Sequence, residues 1–114
     1  MEKESSIKIG IKIWLEKDGQ PVLGEGGARL LELINKYKSL SHAAREMGVS
    51  YTFAWNYIKK REKILGIKLI ETERGGKRGG ETFLTNEGIK LLRLYKNIKK
   101  RLLETIKDIG EINL

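Results

Sequence analysis

The chain of 114 residues contains no cysteine, one histidine and one proline. The absence of cysteine excludes disulfide bonds, thiolate nucleophiles and cysteine-ligated metals, and it suits the reducing cytoplasm. One histidine cannot build a multi-histidine metal site. No apolar run approaches the ~20 residues that a membrane-spanning helix needs, and no signal-peptide core is present. We therefore expect a cytoplasmic protein with no metal, no cofactor and no membrane partner.

Positive charge, in contrast, is in excess. The chain has 23 Lys and Arg against 15 Asp and Glu, a net charge of +8. Residues 51–114 contain 15 basic and 8 acidic side chains, whereas residues 1–50 contain 8 and 7. The basic residues of the second half are concentrated at 59–63, 74–78 and 96–101. Three separate clusters favour a nucleic-acid footprint over a merely solvated surface.

Residues 1–24 are predicted to form an N-terminal strand and hairpin. From Ile7 to Leu15 every odd position is apolar, a period of two that is typical of a β-strand. Asp18-Gly19 then supplies a two-residue turn, and residues 21–23 form a short returning strand.

From residue 28 the apolar spacing becomes helical, and residues 28–66 are predicted to form a three-helix core. Its helices are predicted at residues 28–38, 42–47 and 51–65. Ser41 and Ser50 are expected to cap the second and third helices, while Gly48 and Gly66 end them. A short helix, a tight turn and a longer helix are typical of a helix–turn–helix.

The composition of this unit supports that interpretation. Ala43 and Ala44 allow the two helices to cross closely, and Ala54 and Ile58 are expected to face inward. An ordinary pair of packed helices is the alternative. It would not predict the basic cluster at residues 59–63, at the end of the second helix of the pair.

Residues 67–84 are predicted to form a β-hairpin wing. Its tip, residues 75–80, has four glycines around Lys77 and Arg78, which suits close approach to a phosphate backbone. A nucleotide-binding phosphate loop is disfavoured. Glu71 stands where that motif needs its first glycine, and Arg78 where it needs Ser or Thr.

Residues 86–109 are predicted to form one long amphipathic helix, capped by Thr85. Its first half is expected to pack on its own domain, near Ile89, Leu92 and Tyr95. The remaining apolar stripe is expected to pair with a second copy, as two-fold half-sites on DNA require. The predicted dimerisation residues are Leu91, Ile98, Leu102, Ile106 and Ile109.

The helix that begins after Ser50 is the expected recognition helix, whose N-terminal residues would meet base edges in the major groove. Asn56 could pair with adenine, and the lysines at its end could contact phosphates. Trp55 could equally pack against the wing. The predicted DNA-binding residues are Ser50, Tyr51, Thr52, Trp55, Asn56, Lys59, Lys60, Lys77 and Arg78.

The residues Ser39–Ala44, Met47–Tyr51 and Ala54-Trp55 resemble the helix–turn–helix of the ModE family of molybdate-responsive transcription regulators. The glycine-rich wing followed by Leu84-Thr85 is similar to the wing of that family, and the resemblance spans roughly residues 9–105. The helix–turn–helix alone would also fit LysR-type regulators. The resemblance implies a dimeric winged-helix DNA-binding domain, with the sites named above on its recognition helix and wing.

These observations predict an α+β fold: a winged helix–turn–helix with an N-terminal β-hairpin and a long C-terminal dimerisation helix. We expect one domain over residues 1–114 that binds duplex DNA sequence-specifically as a homodimer and regulates transcription. ModE proteins often continue into molybdate-binding domains. We expect none in this chain, so a separate sensor or effector chain is a candidate partner.

No catalytic constellation is recognisable, so we expect no enzyme activity. The alternatives are a basic protein associated with RNA or the ribosome, which an exposed aromatic platform would favour, and a protein-interaction module that uses the last helix alone.

Overall fold

The computed structural model describes residues 6–73 and 80–114. Within these residues it contains four helices and six short strands, and it confirms the predicted winged-helix architecture. The helices are α1 (Glu25–Tyr37), α2 (Leu40–Met47), α3 (Tyr51–Leu65) and α4 (Asn86–Ile109). The strands are β1 (Ser6–Ile7), β2 (Leu15–Lys17), β3 (Gln20–Leu23), β4 (Ile70–Glu73), β5 (Glu81–Leu84) and β6 (Ile112–Asn113).

The helix–turn–helix is formed by α2 and α3. The prediction that Ser41 caps α2 is wrong: Oγ of Ser39 accepts a hydrogen bond from the N–H of His42 at 3.0 Å. The helix begins two residues earlier than predicted because Leu40 is buried in the core. Gly48 ends α2 with a left-handed backbone, as predicted. The predicted cap of α3 is confirmed, since Oγ of Ser50 accepts from the N–H of Phe53 at 3.0 Å.

Helix α1 begins at Glu25, three residues before its predicted start. Gly26 and Gly27, which lie between the predicted hairpin and the predicted start of the helix, are both part of the helix. Gly27 is buried, and a Cβ atom there would collide with the hydroxyl of Tyr57. Close approach of α3 therefore accounts for that glycine, which local helix propensity alone disfavours.

The N-terminal segment differs most from its prediction. A continuous strand over residues 7–15 is wrong, because only β1, paired antiparallel with β6, and β2, paired with β3, are strands. Within the described residues, 8–14 have no strand to pair with, so their alternation is not used in a sheet. The predicted turn is confirmed, with Asp18 and Gly19 at φ of 51° and 78°.

One apolar core joins the helices to the base of the wing. Ile34 and Leu31 of α1 pack with Ile58 of α3, and all three are fully buried. Strands β4 and β5 pair antiparallel, with Ile70 opposite Leu84 at the buried end. The wing strands are thus fixed to the helix–turn–helix at their base, and β4 begins at residue 70 rather than at 67.

Helix α4 has the predicted bounds and the predicted cap. Oγ1 of Thr85 accepts from the N–H of Gly88 at 3.0 Å and donates to the carbonyl of Lys68 at 2.6 Å. Its 24 residues give a length of about 36 Å. Leu92 and Tyr95 in its first half are buried against the core, as predicted. Its second half extends away from the core, and the longest dimension of the molecule is 61 Å.

Candidate nucleic-acid interface

The N-terminal end of α3 is open to solvent. Ala54 and Ile58 of this helix are buried, as predicted, and this fixes its rotation on the core. Tyr51, Thr52 and Asn56 are consequently exposed beside the cap at Ser50. The structure therefore brings together on one surface the polar side chains that the sequence assigned to base contacts.

Trp55 is engaged within its own helix. It is half-buried, and its ring lies nearly parallel to that of Tyr51, with centroids 6.4 Å apart. Nζ of Lys59 lies 4.4 Å from the centroid of the Trp55 ring. An aromatic ring under an ammonium group is a favourable cation–π arrangement. These contacts favour an orienting role for Trp55 on the exposed face of α3.

The two lysines predicted to contact phosphates differ in their surroundings. Lys60 is exposed, whereas Lys59 is half-buried and pairs with Glu62 at 3.0 Å. A cation that already has a carboxylate partner gains less from a phosphate than a free one does. We therefore expect Lys60 to neutralise a phosphate more effectively than Lys59.

Glu62 links α3 to the wing, a role that the sequence patterns did not reveal. Its Oε2 accepts hydrogen bonds from the backbone N–H groups of Leu69 at 2.7 Å and of Ile70 at 3.2 Å. Burial would raise the pKa of this carboxyl, but these two bonds and the ammonium of Lys59 together lower the pKa below its usual value. The i,i+3 spacing of Lys59 and Glu62 is compatible with an ion pair, but only the fold shows the bonds to Leu69 and Ile70.

The wing is docked on α1 as well as on α3. The N–H of Thr82, which is buried in β5, donates to the carbonyl of Lys38 at 3.0 Å. Lys38 ends α1 with a left-handed backbone at φ 55°. Lys77 and Arg78, the predicted phosphate contacts at the tip, lie outside the described residues. The described strands nevertheless fix the direction in which the wing leaves the core.

Helix α4 divides into an inner and an outer part. Of the predicted dimerisation residues, Leu91 is half-buried and packs against the core. Ile98 and Ile106 are half-buried, whereas Leu102 and Ile109 are 37% and 56% exposed. Four of the five predicted residues thus lie beyond Tyr95, and Leu91 lies at the inner end of the stripe.

Part of the basic cluster at residues 96–101 is neutralised within the chain. Lys96 pairs with Glu32, and Lys99 pairs with Glu25. The hydrogen bond and charge of Lys99 lower the pKa of the Glu25 carboxyl, and the reciprocal hydrogen bond raises the pKa of Lys99. These pairs join α4 to α1, so Lys96 and Lys99 are less available to a nucleic acid than the sequence suggested.

Residues 6–73 and 80–114 contain neither a metal-binding cluster nor a membrane-spanning helix. No three His, Asp or Glu side chains there converge on a point where they could hold a metal ion. None of the helices in this part of the chain has the length and the apolar character needed to cross a bilayer.

The fold and the exposed second helix of the pair define a winged-helix domain of the regulatory type. The chain belongs to the lysR family of bacterial regulatory helix-turn-helix proteins, whose family model matches residues 27–89.

Two curated relatives and one solved structure illustrate the similarity. Over 78 residues the chain is 35% identical to the molybdenum-pterin-binding protein MopA of Rhodobacter capsulatus. This aligned segment covers 68% of this chain and 29% of MopA. Over 72 residues it is 39% identical to the transcriptional regulator ModE of Haemophilus influenzae. This second segment covers 63% of this chain and 28% of ModE. The resemblance to ModE proteins is thereby confirmed, and the chain spans less than a third of these relatives.

The solved structure is that of Streptococcus pneumoniae FabT in complex with DNA. It superposes with a TM-score of 0.54 at 25% identity, covering 71% of this chain and 57% of FabT. The predicted winged-helix fold is confirmed by this match.

Proposed function

We propose that this domain binds duplex DNA sequence-specifically and that it regulates transcription. The observation that carries the proposal is the exposed N-terminal end of α3, where Tyr51, Thr52 and Asn56 stand clear of the core on a helix–turn–helix frame. A side chain that reads bases must project from the helix that enters the major groove, and we propose that α3, on which these three side chains are exposed, is that helix. The similarity to the transcriptional regulator ModE and to FabT, whose structure was solved in complex with DNA, supports the same function.

The roles of the individual residues follow from their chemistry. Asn56 can make a paired hydrogen bond with adenine, and Thr52 can contact a base or a phosphate. Ser50 and Tyr51 stand at the helix N-terminus, where a phosphate is favoured, and Lys60 would neutralise another. Trp55 orients Tyr51 and Lys59. The wing residues Lys77 and Arg78 are proposed to contact the backbone or the minor groove.

A homodimer through the outer part of α4 is the second part of the proposal. Leu102 and Ile109 are exposed leucine and isoleucine side chains on a helix that projects from the core. Large exposed apolar patches mark interaction surfaces, and a two-fold partner suits a palindromic DNA site. A separate sensor or effector chain stays a further candidate partner.

Selection of bound sequences from a random duplex library tests the DNA-binding proposal. Repeated rounds should enrich one motif, present as two half-sites about 10 base pairs apart or a multiple of that spacing. The selection should be repeated with molybdate, because the relatives include molybdenum-linked proteins. A library that remains random after selection would contradict sequence-specific binding.

A competition experiment separates DNA binding from the RNA alternative. Labelled duplex from the selection is bound first and then challenged with unlabelled duplex or with single-stranded RNA of equal length. We expect only the duplex to displace the label at comparable concentrations. Preferential displacement by RNA would favour the RNA-associated alternative instead.

Sedimentation equilibrium tests the dimer. We expect a concentration-dependent dimer at micromolar protein, and the change Leu102→Glu should weaken it by about a hundredfold or more, because a charge would be buried in an apolar interface. Arg101→Gln, a change at the neighbouring exposed position, is the matched control and should dimerise like the unaltered protein. A stable monomer at these concentrations would remove the dimer from the proposal.

A further inference from the structure

A cavity of about 410 Å³ lies on the side of α3 that faces away from the wing. It is bounded by α3, by the N-terminal end of α1 and by the N-terminal hairpin. This volume falls within the range of about 300–1,000 Å³ that small-molecule pockets occupy. The side chains that give it its character are Trp14, Leu30, Met47, Phe53, Tyr57 and Arg61.

One charged group lines this apolar cavity. The guanidinium carbon of Arg61 lies 3.7 Å from the centroid of the Tyr57 ring, a cation–π contact. Its Nε atom is closed to solvent and has no acceptor among the described residues. No carboxylate in residues 6–73 and 80–114 forms an ion pair with Arg61. Since buried donors are normally paired, the buried Nε of Arg61 is a donor without a partner among the described residues.

Two aromatic side chains at the cavity are unusually exposed. Trp14 and Phe53 are 54% and 59% exposed, although both are large and apolar. The indole N–H of Trp14 donates to Oε2 of Glu16 at 2.7 Å, which holds the ring in place. A preset ring face next to a second exposed ring is suited to stacking on a flat apolar group.

Glycine keeps the α1 side of the cavity open. Gly27 is explained by its contact with Tyr57, but a Cβ atom at Gly26 would meet nothing within 4 Å. Gly26 lines the cavity and lies in the first turn of α1, where neither a close contact nor a positive φ requires a glycine. Packing within the domain gives no reason for glycine at this position, whereas an open cavity does.

We propose that this cavity binds a small planar aromatic carboxylate. Its carboxylate would pair with the guanidinium of Arg61, since two parallel N–H···O bonds are the favoured geometry for this pair. Its ring would lie against Trp14 and Phe53. Phe53 and Tyr57 each follow a predicted DNA-contacting residue, Thr52 and Asn56, so an occupant would touch the recognition helix from behind. Any effect of this ligand on DNA affinity rests on the proposed function. Binding of the ligand itself does not depend on DNA binding.

Calorimetric titration with 2-naphthoate, and with 2-naphthamide as its neutral counterpart, tests the proposal without any DNA. The unaltered protein should bind the carboxylate about tenfold more tightly than the amide, because the ionic hydrogen bonds are lost in the amide. Arg61→Gln should abolish that difference. Lys63→Gln, which removes an exposed charge from the same helix outside the cavity, is the matched control and should retain it.

A second variant fills the cavity. Gly26→Leu should bind neither compound and should unfold at a higher temperature than the unaltered protein, because leucine favours the helix and meets open space. Thermal unfolding of each variant shows whether it folds. The proposal is overturned if 2-naphthoate fails to bind at millimolar concentration, if both compounds bind equally, or if Arg61→Gln behaves like Lys63→Gln. Duplex binding by the same samples tests the proposed function separately.

Discussion

On the wing side of α3 the carboxylate of Glu62 is bonded by two backbone N–H groups and one ammonium, whereas on the hairpin side Arg61 has no carboxylate partner among the described residues. On the wing side, backbone N–H groups of Leu69, Ile70 and Thr82 donate hydrogen bonds to α3 and to the end of α1, whereas on the hairpin side side chains line a cavity. The wing is therefore fixed relative to the recognition helix, as a DNA-binding surface of two elements requires. The hairpin side retains a buried N–H donor, Nε of Arg61, that has no acceptor among the described residues and could bind a ligand.

The largest expected difference in free energy of unfolding concerns two buried glycines, Gly88 on the wing side and Gly27 on the hairpin side. A Cβ atom at Gly88 would collide with the carbonyl oxygen of Leu69, which also accepts from the N–H of Thr85 at 2.9 Å. A Cβ atom at Gly27 would collide chiefly with the side chain of Tyr57, which can turn. We expect Gly88→Ala to lower the free energy of unfolding by about 3 kcal/mol, and Gly27→Ala by about 1 kcal/mol.

Urea unfolding of both variants measures that contrast. The gain in helix propensity from Gly to Ala applies to both positions, so it cancels from the difference between them. Equal losses would show that the wing side yields as easily as the hairpin side, and the contrast between backbone and side-chain contacts would fail.

The next largest expected change in stability comes from removing the charge of the Glu62 carboxylate. Glu62→Gln should lower the free energy of unfolding at pH 7 by about 2 kcal/mol, because charge-assisted bonds to Leu69, Ile70 and Lys59 are weakened. The pKa of Glu62 is lower in the folded state than its ordinary value, so this contribution is fully present well above the ordinary pKa and is lost as pH falls through the lowered folded pKa.

Urea unfolding of the unaltered protein and of Glu62→Gln, at pH 7 and at successively lower pH, checks the sign. The two curves of stability against pH should approach each other as pH falls through the ordinary carboxyl pKa of 4.5 and should meet only below the lowered folded pKa of Glu62. A difference that stays constant down to the acid limit would mean that the charge of Glu62 does not stabilise the wing.

The smallest expected effect concerns the neighbouring lysines of α3. Lys60→Gln should flatten the dependence of log affinity on log salt by about 0.9 for duplex DNA, as expected for one phosphate contact. Lys59→Gln should flatten it by less than half as much, because Lys59 already pairs with Glu62 and lies over Trp55. Fluorescence anisotropy at several salt concentrations gives both slopes, and equal changes would show that the pair opens when DNA binds.

Much of this fold could be predicted because its signals are local. The bounds of α3 and α4 follow from capping by Ser50 and Thr85 and from the apolar periodicity, and the turn at Asp18-Gly19 follows from the residues that tolerate positive φ. The exposure of Thr52 and Asn56 followed once Ala54 and Ile58 were placed inward.

The errors came from contacts between distant parts of the chain. Gly26 and Gly27 have the local signature of a loop, and only the approach of Tyr57 explains why a helix continues through Gly27. The isoleucines of residues 7–15 alternate like a strand, but alternation cannot supply a partner strand. The bonds of Glu62, and the buried Nε of Arg61 that has no acceptor among the described residues, likewise depend on parts of the chain that come together only when it folds.

The central claim is that the exposed end of α3 reads bases, and one comparison tests it most directly. The affinities of the unaltered protein and of Asn56→Ala are measured for the duplex recovered by selection and for a scrambled duplex of equal composition. We predict that Asn56→Ala costs about 1–3 kcal/mol on the selected duplex and little on the scrambled one. Equal losses on both duplexes, or no loss on either, would contradict the claim.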